Sequence, residues 1–269
     1  MNIRAIAFDL DDTLLRDDRT ISGRTLAVLR RAAAQGVRIL PASGRALDSM
    51  WPFVEQMGCA NALISCNGAE IWDARRNLLV RREFPGADAE EIVAFARARG
   101  SYAQTYAGAH FYYLIENHFA ADYAASSMLT GFYTPELEAF LAAHPSSKIL
   151  MMDEPEKIAR MLAEAREQFA GRASVTCSKP YFLEFNPPLA TKGIALAACA
   201  ERLGFSLEKT AAFGDSLNDL SMLESAGIGV AVANAREDVR ARVGRVCGSN
   251  EEDGPARWIA RALWGEEID

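Results

Sequence analysis

Residues 4–15 read RAIAFDLDDTLL, a short apolar run from Ala5 to Phe8 that passes directly into three carboxylates, Asp9, Asp11 and Asp12, and then into Thr13 and two leucines. Acidic side chains at the end of a buried strand cost desolvation energy unless a cation or a fixed set of hydrogen bonds neutralises them. In an open α/β sheet the carboxyl end of a strand is also where ligands bind. The stretch therefore predicts a metal-assisted carboxylate site at the edge of a parallel sheet.

The flanking sequence agrees with such a sheet. Ser22 reads as a helix cap, Leu26, Val28 and Leu29 supply the apolar positions, and Gly36 ends the helix before the strand VRIL at 37–40. A second cycle follows, with a helix over 45–57, Gly58 as its stop and the strand ALIS at 62–65. Alternation of this kind predicts parallel strands covered by helices. CNGAEIWDARRNLLVRREF then reads as hairpins.

Residues 83–187 change character. A helix over 88–99 precedes YAQTY and FYYLI about a turn at 107–110; KILMM, a helix over 155–169 and the strands ASVTC and YFLEF follow, with antiparallel pairing expected. Pro187-Pro188 ends this module as a hinge. From Thr191 the alternation resumes with a helix at 193–203, the strand TAAF, a helix at 218–225, the strand IGVAV and a C-terminal helix. The expected fold is α/β: a Rossmann-like parallel-sheet core of residues 1–82 and 188–269, with residues 83–187 inserted as an α+β cap.

Half of the 269 residues are hydrophobic, enough for a substantial core. A net charge of -7 argues against nucleic acid or an anionic membrane as the main partner. The five cysteines form no CxxC pair and read as free thiols in a reducing compartment; the three histidines show no metal-ligand spacing and read as surface or loop residues. The N-terminal residues carry neither a signal-peptide nor a transit-peptide pattern, so a cytoplasmic location is expected. No apolar stretch approaches the roughly 20 residues of a membrane span.

Four motifs are expected at the carboxyl ends of core strands: DLDDT at 9–13, SGR at 43–45, TKG at 191–193 and GDSLNDL at 214–220. Asp9, Asp11, Asp215 and Asp219 would then converge. Two unit charges ~4 Å apart repel by roughly 4 kcal/mol at an effective dielectric near 20, which a divalent cation relieves. Oxygen ligands without His or Cys select a hard ion, and Mg2+ fits a few carboxylates completed by water and phosphate. Of Asp9 and Asp11, one can attack phosphorus while the other, its pKa raised by the neighbouring charge, moves protons. Lys192 would offer a point charge to the transferring group. Ser43, Gly44 and Asn218 would supply hydrogen-bond donors.

These residues, in this order, resemble the haloacid dehalogenase (HAD) superfamily, and within it the Cof-type sugar-phosphate phosphatases with a large α/β cap. CNGAEI at 66–71, LEFNPPLATKG at 183–193, AGIGVAVANA at 226–235 and CGSNEEDG at 247–254 extend the likeness over nearly the whole chain. The resemblance implies that Asp9 is the nucleophile and Asp11 the acid/base. It implies Mg2+ held by Asp9, Asp215 and the Asp11 carbonyl, with Asp219 either behind the ligands or an auxiliary metal residue. Ser43, Lys192, Asn218 and the Gly44 amide would contact the phosphoryl group. Ser43 stands where threonine is frequent, and AVANA replaces the more usual AMGNA around Asn234. The expected function is Mg-dependent hydrolysis of a small phosphorylated metabolite, a sugar phosphate foremost, through an aspartyl-phosphate. A transferase or mutase on the same scaffold, a phospho-aspartate receiver and a sugar-phosphate-binding protein are the alternatives. Glu184, Asn186 and the aromatic residues of FYYLI are candidates for the cleft wall, with edge-strand and loop positions an equal reading.

Overall fold

The structure, a computed structural model, describes residues 1–268. β1 (Ala5–Phe8) is entirely buried, as its unbroken apolar run requires. The chain continues through α1 (Gly23–Ala34), β2 (Arg38–Pro41) and α2 (Leu47–Met57) to β3 (Ala62–Ser65), β4 (Glu70–Asp73) and β5 (Leu78–Arg81). Its last third supplies α7 (Lys192–Leu203), β12 (Thr210–Gly214), α8 (Leu220–Ser225), β13 (Ile228–Ala231), α9 (Glu237–Val243) and α10 (Gly254–Trp264). The expected C-terminal helix is thus two. The core sheet has the order β13-β12-β1-β2 and is parallel throughout. Ser22 caps α1, its hydroxyl accepting from the Thr25 N–H at 3.0 Å.

ALIS does not extend that sheet as expected. β3 touches it through a single parallel bridge, Ala42 to Ile64, and pairs antiparallel with β4, which pairs in turn with β5. Pro41 gives the reason. The Ala42 N–H reaches back to Phe8 and the Ser43 N–H reaches Ile64, so position 41 faces β3, and proline has no N–H to donate.

Between these parts lie α3 (Gly86–Ala98), β6 (Tyr102–Ala107), β7 (His110–Tyr113), α4 (His118–Ser127), β8 (Thr130–Tyr133), α5 (Leu137–Ala143), β9 (Ile149–Met152), α6 (Pro155–Gln168), β10 (Ser174–Thr176) and β11 (Phe182–Asn186). They form a six-stranded sheet of order β10-β11-β9-β6-β7-β8, antiparallel except for β7 against β8. Nothing in the apolar pattern between FYYLI and KILMM marks α4, β8 or α5. α4 is short, and β8 is an exposed edge strand with no apolar alternation to mark it. His110 lies on β7 and is half-buried, against the loop or surface position expected; His118 and His144 are exposed.

α3, α5 and α6 cover one face of this sheet, where Phe95, Phe169 and Phe185 pack edge to face with centroids 5.5–6.2 Å apart. Its other face carries Tyr102, Leu150 and Met152 and turns toward Ala46 and Cys66 of the loops after β2 and β3. TKG corrects another expectation. Thr191 is the N-cap of α7 and Lys192 its first residue, and the preceding strand is β11 of the six-stranded sheet rather than a core strand. All five cysteines are free thiols, and among the described residues no helix is long and apolar enough to cross a membrane.

α7 meets α8 at Gly193, where an added Cβ would lie 2.2 Å from the Ser221 carbonyl oxygen. Gly193→Ala is expected to lower unfolding free energy by about 1–3 kcal/mol in urea titration. An unchanged midpoint would mean that the two helices are free to separate.

Candidate active site

Pairing of Phe8 with Phe213 brings the ends of β1 and β12 together, and the Asp9 N–H continues the ladder to the Phe213 carbonyl at 3.0 Å. Asp9 and Asp215 therefore emerge side by side. Lys192 enters from α7 with no exposed surface, and its ammonium donates to Asp9 Oδ1 at 2.7 Å and to Asp219 Oδ1 at 2.6 Å. Asp219 Oδ2 accepts from the N–H groups of Asp215 at 2.9 Å and Ser216 at 3.0 Å. Asp215 takes the Thr13 hydroxyl at 2.9 Å and the Ser216 hydroxyl at 2.7 Å.

Asp9, Asp215 and Asp219 each bring an oxygen within 4.8 Å of the others. Burial, opposed by Lys192 and reinforced by Asp219, Asp215 and Asp11, pushes the Asp9 carboxyl well above its usual range. Burial and then the Asp219 charge push Asp215 up to about 7. Burial works against the Lys192 ammonium, but Asp219 and Asp9 raise its pKa. One lysine thus faces several buried acids, an arrangement that a cation completes. All donor atoms are carboxylate oxygens, the chemistry of a hard divalent ion.

Asp9, Asp11, Ser43, Gly44, Asp215 and Asn218 line one side of a cavity of about 130 Å³. Lys192 and Asp219 lie behind that wall, not on it. The raised pKa expected for Asp11 is overturned. Burial raises it, but Arg45 donates from Nε at 2.7 Å and from Nη2 at 2.8 Å, and the Arg45, Lys179 and Lys192 charges hold the carboxyl below its usual value. Arg45 stood in the SGR motif, where only its neighbours were given parts.

Asn218 belongs to a chain of amides whose orientation is set from one end. Asn186 Nδ2 donates to the carbonyls of Cys66 at 2.8 Å and Ser147 at 2.9 Å, so Asn186 Oδ1 must accept from Asn67 at 3.0 Å. Asn67 Oδ1 then accepts from Asn218 Nδ2 at 3.1 Å. One N–H of Asn218 remains for a ligand, and its Oδ1 is buried without a partner. Asn67 was legible only as part of CNGAEI, and Asn186 only as a possible cleft residue.

The opposite wall comes from residues 123–184. Arg45 Nη1 donates to the Ser126 carbonyl at 3.2 Å and Arg19 Nη1 to that of Ala125 at 3.1 Å. Lys179 reaches Asp12 Oδ2 at 3.3 Å, and the Ser178 carbonyl lies 2.8 Å from Ser216 Oγ, a second acceptor competing with Asp215 for the one hydroxyl proton. Asp12, to which no role could be given from the sequence, anchors this wall. Glu184 lines the cavity and pairs with Lys148; both are buried.

Comparison with known proteins agrees with this geometry. Residues 6–259 match the haloacid dehalogenase-like hydrolase family. The chain is similar to the 5-amino-6-(5-phospho-D-ribitylamino)uracil phosphatase of Bacillus subtilis, 30% identical with 96% of this chain and 95% of that protein covered. An HMP-PP phosphatase of Serratia proteamaculans is 28% identical, with coverage of 97% and 95%. Among solved structures, a haloacid dehalogenase-like hydrolase from B. subtilis superposes with a TM-score of 0.88 at 28% identity, covering 97% of this chain and 100% of that one. Another, from Bacteroides thetaiotaomicron, gives 0.84 at 29%, with the same coverage.

Lys192→Met leaves Asp9 and Asp219 buried without their counter-charge and is expected to cost about 3–5 kcal/mol of stability. Adding Asp219→Asn removes one of the stranded charges while keeping an oxygen for the Asp215 and Ser216 N–H groups. The double variant should therefore recover part of the loss in a urea-unfolding cycle; strict additivity of the two substitutions would dissolve the triad as a unit.

Proposed function

The chain belongs to the haloacid dehalogenase-like hydrolases, its relatives being phosphatases, and we propose that it is a Mg2+-dependent phosphomonoester hydrolase acting on small phosphorylated metabolites, with sugar phosphates the class favoured. The observation that carries this reading is Asp9. Lysine occupies its Oδ1, no hydrogen bond among the described residues reaches Oδ2, and the side chain lines the cavity beside Asp215.

In the proposed reaction Asp9 Oδ2 attacks phosphorus as the ester P–O bond breaks, and Asp11 gives its proton to the departing alkoxide. Asp11 then takes a proton from water as that water attacks phosphorus, the bond to Asp9 breaks, and inorganic phosphate and free Asp9 result. Before the first step Arg45 must release Asp11, and the freed carboxylate must take up one proton from solvent, which is the proton it then gives to the alkoxide. A phosphoryl dianion in the cavity competes for the same guanidinium, so ligand binding itself favours that release. Ser43, Gly44 and the free N–H of Asn218 would orient the phosphoryl oxygens. Lys192 fixes Asp9 and offsets its charge from behind.

Asp9, Asp215 and the Asp11 carbonyl would hold the metal, which when bound supplies charge neutralisation and polarises the phosphoryl group. Asp219, its oxygens engaged by Lys192 and two N–H groups, serves as a brace for Asp215 rather than as a ligand. Residues 1–82 and 188–269 are proposed as the catalytic core and residues 83–187 as a cap that excludes water and selects the leaving group.

Asp9→Asn should abolish turnover of every phosphomonoester, by about 10³-fold or more, with an unchanged circular dichroism spectrum; retained activity removes Asp9 as nucleophile. MgCl2 should raise the melting temperature of the wild type and do so much less for Asp215→Asn. EDTA should stop hydrolysis. Equal shifts in the two proteins would place the ion elsewhere.

A further inference from the structure

Glu184 and Lys148 form a fully buried pair that no step of the reaction uses. Their side chains are 2% and 3% exposed, yet both line the cavity that holds Asp9. An ammonium has three N–H donors. Lys148 gives one to Glu184 Oε1 and another to the Gly44 carbonyl at 2.7 Å, so one remains. Glu184 Oε2 is buried with no hydrogen-bond partner. A buried charged oxygen left unpaired is costly, and native structures rarely keep one without a use. One spare donor beside one spare acceptor is the complement of a single hydroxyl group, which accepts and donates at once. A carboxylate or second phosphate would be repelled by Glu184, and a methylene would leave both atoms unpaired.

The position of the pair says which hydroxyl it meets. A Cβ on Gly44 would stand 3.2 Å from Glu184 Oε1 and 3.5 Å from Lys148 Nζ, so the pair abuts the Ser43–Gly44 loop. The cavity, about 130 Å³ and open toward solvent, has room beside Asp9 for a phosphoryl group and the first atoms of the leaving group, the remainder extending outward past Tyr123 and Phe182. We propose that Glu184 and Lys148 are the specificity-determining pair of this cavity, reading one hydroxyl within the first carbons beyond the ester oxygen. This rests on the phosphatase reading of the same cavity, with residues 43–44 holding the phosphoryl group.

The test uses two matched pairs in the presence of MgCl2. Glycerol 1-phosphate and n-propyl phosphate report turnover; 3,4-dihydroxybutylphosphonate and n-butylphosphonate report binding by calorimetry, independently of hydrolysis. In the wild type the hydroxylated member should lead by about tenfold or more in kcat/KM and in affinity. In Glu184→Gln, which keeps the shape but removes the charge and presents an amide, both ratios should fall toward one. If that variant does not fold, K148M/E184L removes both charges together and should lose the preference likewise. Equal binding of the two phosphonates by the wild type overturns the proposal, as does a preference that survives E184Q and the double variant. A binding preference without any turnover overturns the phosphatase reading while upholding the hydroxyl subsite.

Discussion

The arrangement depends on one ammonium without access to water. Lys192 lies between Asp9 and Asp219 and joins β1, α7 and the loop after β12, three parts of the chain far apart in sequence. Such a group is stable only if the counter-charges are in place, and the counter-charges are tolerable only if the lysine is. Asp219 converts this mutual need into geometry, because its second oxygen collects the N–H groups of residues 215 and 216 and so fixes the backbone that presents Asp215. The surplus of negative charge in front of the lysine is what makes the cavity receptive to a hard cation.

Much of this was legible in the chain. Strand β1 announced itself as an apolar run that ends in acid, and the helix cap at Ser22 and the stop at Gly58 marked their boundaries by local chemistry alone. The convergence of Asp9, Asp215 and Asp219 followed from motifs that short-range rules and family likeness could both identify, whereas Asp11, expected in the same cluster, stands apart on Arg45, and Lys192, expected on the phosphoryl group, lies behind Asp9. What escaped was tertiary. The pairing of Asp11 with Arg45 spans 34 positions, and nothing local distinguishes an arginine that will bind a carboxylate from one that will bind phosphate. The neighbouring acids alone would raise the Asp11 pKa, and that one base reverses the direction.

The same limit explains the cap. β8 and α4 lack an amphipathic signature because much of their surface stays outside the core, and the ALIS strand was assigned to the parallel sheet because its apolar run looked the same in either sheet. A single imino acid, Pro41, decided that question by withholding one donor. The direction of the Asn186–Asn67–Asn218 chain could not be read from asparagine content either; it is imposed by two backbone carbonyls that only the folded chain brings together.

β11 serves two masters through its pleat. Leu183 and Phe185 fill the aromatic core beneath α3 and α6, while Glu184 and Asn186 stand on the opposite face, toward the cavity and the amide chain. Because a strand alternates sides with every residue, a slip of β11 by one position would send a carboxylate into the apolar layer and a phenyl ring toward Ser43 and Gly44. A change of two would preserve the pattern of faces and alter only reach. The register of β11 against β9 is therefore quantised: a slip of two keeps every side chain on its own face, and a slip of one forfeits the apolar layer and the cavity wall together.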